Sequence, residues 1–352
     1  MKKETEGLKL NRKILWAIVS AVIAVCTIYT VIQESGEISL ASLWAMIRGG
    51  DPCFLVLAIL GMFGYVFFEG AALRCIVNRI EAGAGMTQLH GFLYAAADVY
   101  FSAITPSATG GQPASLYFMK KDGLPFYLSS AALVLNLAMY NAAIVLIGIV
   151  CMVLCPGLFL QFNLPCKVLI LIGYVALTGL MAGFLLLLRK GDWIKAIGGA
   201  LILLFHKLHL LRKPDRLIQR LDRLVKNYGE CAALFLGDKA LLRNAFFYNL
   251  AQRACQIAVS SCIFVCIGGN PAMFFQIFAL QSFAVIGSNC IPIPGAMGVV
   301  DYLMLSGFSM LMPRNMAAHL ELLSRGISFY FCVVICLLII AGGYLRRRAS
   351  ET

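Results

Sequence analysis

Six stretches of this chain are apolar at nearly every position: Ile14 to Ile32, Cys53 to Leu73, Phe126 to Leu154, Val168 to Leu188, Ala245 to Ile267 and Leu322 to Leu345. Each is on the order of the 20 residues that a helix needs to cross the hydrocarbon core of a bilayer. Two further stretches, Gly91 to Met119 and Phe274 to Met312, are apolar at both ends but broken in the middle by proline and glycine. Polar positions gather in the opening "MKKETEGLKLNRK", between Arg189 and Arg243, and at Arg346 to Arg348. The pattern predicts six full spans and two interrupted segments. The first run is long for a signal-peptide core and has no small-x-small cleavage pattern before Gln33, so it reads as a retained helix.

Composition agrees. Of 352 residues, 61% are hydrophobic and 13% charged, against roughly 25% charged in soluble domains, which places the chain among integral membrane proteins. The 13 cysteines include no CxxC pair. Several sit four apart within spans (Cys151 and Cys155, Cys262 and Cys266, Cys332 and Cys336) and read as small apolar residues on one helix face, not as metal ligands or disulfides.

Charge fixes an orientation. With the N-terminus in the cytoplasm, the inner segments hold five Lys/Arg before residue 14, then Arg74, Arg79, Lys120 and Lys121, twelve from Arg189 to Arg243, and Arg346 to Arg348. The outer segments hold only Arg48, Lys167 and Arg314, while Arg253 and Arg325 fall inside spans. This positive-inside bias survives only if each broken segment returns to the side it came from. Both are therefore expected as re-entrant hairpins, with both termini cytoplasmic. The net charge of +12 is confined to one membrane side without interleaved aromatics, which points to anionic phospholipid headgroups rather than nucleic acid. In "RKPDRLIQRLDRLVKN", Leu217, Ile218, Leu221, Leu224 and Val225 recur at helical spacing among Arg216, Arg220, Arg223 and Lys226. This reads as an interfacial helix, the alternative being a helix packed on the protein's own cytoplasmic loops. His206 and His209, just upstream, lack an accompanying carboxylate or cysteine and belong to the same amphipathic face.

The order span, span, hairpin, span then occurs twice. Three crossings per half invert the second half relative to the first. The expected fold is an all-α polytopic membrane protein with six full spans and two re-entrant helical hairpins in an inverted repeat. It forms one domain over 1–352, with repeats at 14–155 and 166–345 and a basic insert at 189–243. The breaks match as P-x-x-x-G, Pro106 to Gly110 and Pro294 to Gly298, and paired breaks in inverted halves are the sequence pointer to a transporter's central site.

Hairpin tips leave backbone groups without intrahelical partners. Gly110 and Gly111 are expected to allow close approach and positive φ. Pro106, Pro292 and Pro294 stop helices without leaving an N–H. Thr105, Ser107, Thr109 and Gln112 supply polar side chains, and Gly295 and Gly298 shape the second tip. Helices starting after each break would point positive dipole ends inward, toward an anion such as phosphate; a structural contact between small residues is the alternative. Arg253 lies about ten residues into its span and needs an anionic partner, because insertion scales put its cost near the membrane centre at ~2.5–3.5 kcal/mol. Glu69, Asp98, Asp301 or a lipid phosphate could serve. Arg325 either joins the site or snorkels to the outer surface, and Glu69 either couples protons, with Asp98 or Asp301, or sits with Arg74 at the inner interface. No P-loop of the form GxxxxGK[ST] is present, and no cofactor or metal is expected.

The motifs "ITPSATGGQPA" followed by "MKKDGLP", and "IPIPGAMGVVD", resemble the membrane region of lysylphosphatidylglycerol synthases, the multiple peptide resistance factor family, over residues 12 to 345. The resemblance implies a flippase-like domain of the bacterial cytoplasmic membrane that moves an anionic, aminoacylated or polyprenyl-linked lipid between leaflets. In the full-length relatives a separate domain transfers lysine to phosphatidylglycerol. After Arg348 only four residues remain and the segment from Arg189 to Arg243 is too short for such a domain. Lysyl transfer is therefore expected only with a separately supplied partner enzyme; a non-transporting partner subunit is a third reading, and a homo-oligomer is open. Asp301 stands where the relatives carry Glu.

Overall fold

The computed structural model describes residues 48–80, 85–105, 108–189, 195, 196, 200, 214–289, 291 and 293–350. The expected span at Ile14 to Ile32, and His206 and His209, lie outside these residues. Every regular element described is helical: α1 Pro52–Ile80, α2 Gln88–Ile104, α3 Gly111–Lys121, α4 Phe126–Leu154, α5 Pro156–Gln161, α6 Leu164–Arg189, α7 Pro214–Gly237, α8 Lys239–Cys266, α9 Phe274–Ser288, α10 Val299–Phe308, α11 Arg314–Arg325 and α12 Cys332–Ser350. Short 3-10 turns stand at Pro271–Met273 and Pro294–Ala296, and a π-helix, Gly326–Phe331, joins α11 to α12.

Among the described residues, five stretches are long and apolar enough to cross a membrane: Pro52–Arg79, Phe126–Leu154, Leu164–Arg189, Pro271–Ser288 and Arg314–Gly343. The chain is a multi-pass, all-α membrane protein. Three of the five contain expected spans, Arg314–Gly343 overlaps the one expected at Leu322 to Leu345, and Pro271–Ser288 covers the first arm of the second broken segment. Helix α8, which contains the expected span at Ala245 to Ile267, is not among them, because Asn249, Gln252, Arg253 and Gln256 dilute its apolar run.

The outward surface is as apolar as the interior. On α1, Val56, Leu57, Leu60, Phe63 and Phe67 are exposed at helical spacing, and on α6 so are Leu164, Val168, Leu171, Ile172 and Val175. Faces of this kind are stable only against lipid. Inside, the buried side chains form two large clusters. The first takes Met62 and Val66 from α1, Ile147 and Cys151 from α4, and Ile257 and Ile263 from α8. The second takes Leu73 and Ile76, Leu128 and Leu135, and Leu241 and Ala245 from the same three helices. The changeover falls near the middle of each helix, where Glu69 on α1, Asn136 and Asn141 on α4, and Asn249, Gln252 and Arg253 on α8 are buried polar residues.

Close backbone approach locks the helices together. Helix α1 packs along α8, where a Cβ on Gly61 would lie 3.1 Å from the Cys255 carbonyl. At Gly70 and Gly91 the backbones of α1 and α2 touch, leaving no room for a Cβ on either. Helix α7 forms where the amphipathic pattern predicts it. Its Leu217, Ile218, Leu221 and Val225 are half-buried, Arg223 and Lys226 are exposed, and its C-terminal turns bury Tyr228, Cys231, Ala232 and Phe235 in the second cluster. It packs on α4 and α6, so this end rests on the helix bundle rather than on a loop.

Asp238 caps α8 by accepting hydrogen bonds from the Ala240 and Leu241 N–H groups, both at 3.0 Å, and pairs with Arg79 at the end of α1. The Leu241 N–H and the Arg79 guanidinium hold its carboxyl below the usual carboxylate range. A group with a lowered folded value contributes stability above its unfolded value, about 3.9, and that contribution is lost as the pH falls through the folded value. Asp238→Asn is therefore expected to unfold at lower temperature than wild type at pH 7, with the gap closing as melts are repeated at pH 5, 4 and 3.

Candidate functional site

The polar layer between the two apolar clusters is built from side chains one helical turn apart on facing helices: Tyr65 and Glu69 on α1, Asp98 and Ser102 on α2, Asn136 and Tyr140 on α4, and Asn249, Gln252, Arg253 and Gln256 on α8. Residues three or four apart share a helix face, so each helix turns one polar patch toward the others. Arg253, at the middle of the 28-residue α8, is 2% exposed. Its Nη1 donates to Gln256 Oε1. Its guanidinium carbon lies 3.5 Å from the ring centroid of Tyr140 and 5.6 Å from that of Tyr65, a contact worth ~2 kcal/mol when desolvated. Among the described residues, Nε and Nη2 have no hydrogen-bond partner.

The acids lie beside it. Glu69, 4% exposed, accepts from Gln252 Nε2 at 3.1 Å. Asp98 accepts from Gln112 Nε2 at 3.1 Å and from Ser102 Oγ at 3.5 Å. Asn249 Nδ2 closes the layer, donating to Asn136 Oδ1 at 3.0 Å and to the Ala245 carbonyl at 2.9 Å.

The first tip joins this layer through Asp98. Thr105 ends α2; its Oγ1 donates to the Phe101 carbonyl at 2.6 Å and accepts from Gly110 N–H at 2.9 Å. Gly110 and Gly111 do not supply positive φ: Gly110 sits at φ −82° and Gly111 opens α3, while the left-handed position of the tip is Ala108, at φ 53°. The glycines serve close approach instead. A Cβ on Gly111 would overlap the Asp98 carboxylate, the Ser102 hydroxyl and the Asp98 carbonyl, and one on Gly110 would meet the Thr105 side chain. Gln112 reaches Asp98, and Thr109 is exposed. Pro106 and Ser107 lie outside the described residues.

The second tip is held by Arg325. Its Nε pairs with Asp301 Oδ1 at 2.9 Å, its Nη2 donates to the Gly295 carbonyl at 3.2 Å, and its head group lies 4.9 Å from the Phe329 ring centroid. The π-helix sets Phe329 against Gly295, where a Cβ would strike the ring. Asp301 Oδ2 accepts from Gly298 N–H at 2.8 Å. The start of α10 is thus closed by its own carboxylate rather than left open for a ligand anion. Asp301 belongs to Arg325, not to Arg253, and Arg325 clamps the tip instead of snorkelling. Gly295 and Gly298, at φ 61° and 78°, take the left-handed backbone here, as does Ala296 at 50°. Pro294 starts the 3-10 turn, which packs against α2, the first arm of the other hairpin. Pro292 lies outside the described residues. Arg325→Gln is expected to cost ~1.5–3 kcal/mol, the value of charged hydrogen bonds lost, and to speed protease cleavage within residues 293–298 while leaving sites in α4 protected.

Sequence reasoning named Arg253, Glu69 and Asp98 but missed Tyr65, Ser102, Asn136, Tyr140, Asn249, Gln252 and Gln256. The missing signal is their spacing of three or four within otherwise apolar helices. In comparisons with known proteins, the family model described as "Lysylphosphatidylglycerol synthase TM region" matches residues 15–336. No curated protein and no solved structure matches.

Proposed function

Because the chain belongs to the lysylphosphatidylglycerol synthase TM-region family, we propose that it is a flippase-like transporter that moves an anionic, aminoacylated or polyprenyl-linked lipid between the leaflets of a bacterial cytoplasmic membrane. The observation that carries this reading is the polar layer at mid-helix. Buried ionisable groups inside an apolar bundle are costly and mark substrate pathways, and here a guanidinium and two carboxyls share one depth without a structural ion pair that would explain them.

The order of elements supports an inverted repeat. Helix α1, the broken pair α2 and α3, then α4 are followed, after α5, α6 and α7, by α8, the broken pair α9 and α10, then α11 continuing into α12. The long helices opening each series, α1 and α8, pack on one another. In this reading Arg253 offsets the headgroup charge, and Glu69 with Asp98 carries coupling protons. The first tip, Thr105 to Gln112, adjoins that acid pair, and the second, Pro292 to Gly298 with Asp301, is the gate that Arg325 holds.

The test is reconstitution of the full chain in vesicles containing fluorescent phosphatidylglycerol, lysyl-phosphatidylglycerol or phosphatidylcholine, with dithionite quenching of the outer leaflet. The expected result is leaflet exchange several-fold above protein-free vesicles for at least one anionic or aminoacylated lipid. Exchange no faster than in empty vesicles across the panel sinks the reading.

A further inference from the structure

The free edge of Arg253 specifies what the polar layer takes. Gln256 occupies Nη1, while Nε and Nη2 are without partners in a residue only 2% exposed. These two nitrogens lie on the same side of the planar guanidinium, and their N–H bonds run parallel, spaced to meet two oxygens of one oxyanion. A single carbonyl oxygen or a halide can meet both donors only off-axis, whereas two oxygens of one oxyanion take one straight bond each. The protein's own carboxylates do not fill the edge: Glu69 is engaged by Gln252, and Asp98 by Gln112 and Ser102. Tyr140 covers the ring-facing side of the guanidinium, so a ligand meets the fork in its own plane.

We propose that the Nε–Nη2 edge of Arg253 is a bidentate seat for a phosphate oxyanion, with Gln256 and Tyr140 as positioning residues that hold the fork open. The proposal deepens the lipid-transport reading and rests on it only for where the phosphate comes from. A phosphodiester headgroup and free phosphate present the same two oxygens.

Binding to the full chain in detergent decides the matter, with dioctanoyl phosphatidylglycerol as probe, dioctanoylglycerol as the phosphate-free control and inorganic phosphate as competitor. Wild type is expected to bind the phospholipid at least about tenfold more tightly than dioctanoylglycerol. Arg253→Lys, which keeps the charge but loses the fork, is expected to lose about tenfold. Displacement of the lipid by inorganic phosphate supports the seat with any phosphate as its ligand. Failure to displace it, with the Lys effect intact, supports the seat with a lipid phosphate as its ligand. Equal binding of dioctanoylglycerol and phospholipid by wild type overturns the proposal even if Arg253→Lys does not fold. So does equal phospholipid binding by wild type and Arg253→Lys. Fork-dependent binding without leaflet exchange would leave the seat standing and remove the transport reading. Exchange without fork-dependent binding would do the reverse.

Discussion

Arg253→Ala is expected to slow leaflet exchange at least about tenfold while the protein still folds. Two opposing effects set the stability. Removing the guanidinium relieves a buried-charge cost of ~2.5–3.5 kcal/mol on insertion scales and forfeits a cation–π contact of ~2 kcal/mol with Tyr140 and the charged hydrogen bond to Gln256, ~1.5–3 kcal/mol, so the net loss is modest. Glu69 and Asp98 keep their own donors, Gln252 and Gln112, and are not stranded by the loss. Transport has no such offset. A charged hydrogen bond contributes ~1.5–3 kcal/mol, and ~1.4 kcal/mol is tenfold in rate or affinity. The check is exchange rate and melting midpoint measured on the same preparation. An unfolded variant, or a folded one that exchanges lipid at the wild-type rate, would contradict the account of the site.

Gly111→Ala should be nearly as damaging by a different physical route. Alanine is the best helix former, so at the first position of α3 it would ordinarily stabilise the helix. Here its Cβ falls on the Asp98 carboxylate, the Ser102 hydroxyl and the Asp98 carbonyl. The two side chains can rotate away, but the carbonyl cannot, so α2 and α3 must separate. Overpacking of this kind costs ~1–3 kcal/mol and pulls Asp98 out of reach of Gln112. The expected result is a lowered melting midpoint together with lost exchange, in contrast to Arg253→Ala. Gly123→Ala is the comparison: it lies beyond α3 at φ 86° with open space around it, so it carries backbone strain but no contact with the polar layer, and exchange by the folded fraction should survive.

Legibility in the sequence divided along a physical line. Helix positions were legible because apolar run length has no other explanation in a chain with so few charges. Asp238, Thr87 and Asn270 cap helices as their residue types permit. Arg253 was legible because a lone cation in an apolar run is costly wherever it sits. Pairing was not. Nothing local to Asp301 says that Arg325, 24 positions on, will reach it first, or that Tyr140 rather than an acid will face Arg253. Of the two roles expected of the "TGG" glycines, close approach holds and positive φ does not, for a related reason. Glycine is permitted both by positive φ and by tight contact, and only the neighbouring helix reveals which operates; at Gly111 that neighbour is Asp98.

The polar patch on α8 also bears on how the protein is made. A segment carrying Asn249, Gln252, Arg253 and Gln256 on one face is a poor candidate to partition into lipid by itself, and α8 is not among the five stretches apolar enough to do so. Its natural acceptors, Glu69 and Tyr65 on α1 and Asn136 and Tyr140 on α4, leave the ribosome earlier. Membrane integration of α8 is then a docking step onto helices already inserted. The N-terminal half acts as the template that admits the C-terminal half, and a lesion in Glu69 or Asn136 would surface first as a failure of biogenesis, before any defect in transport could be seen.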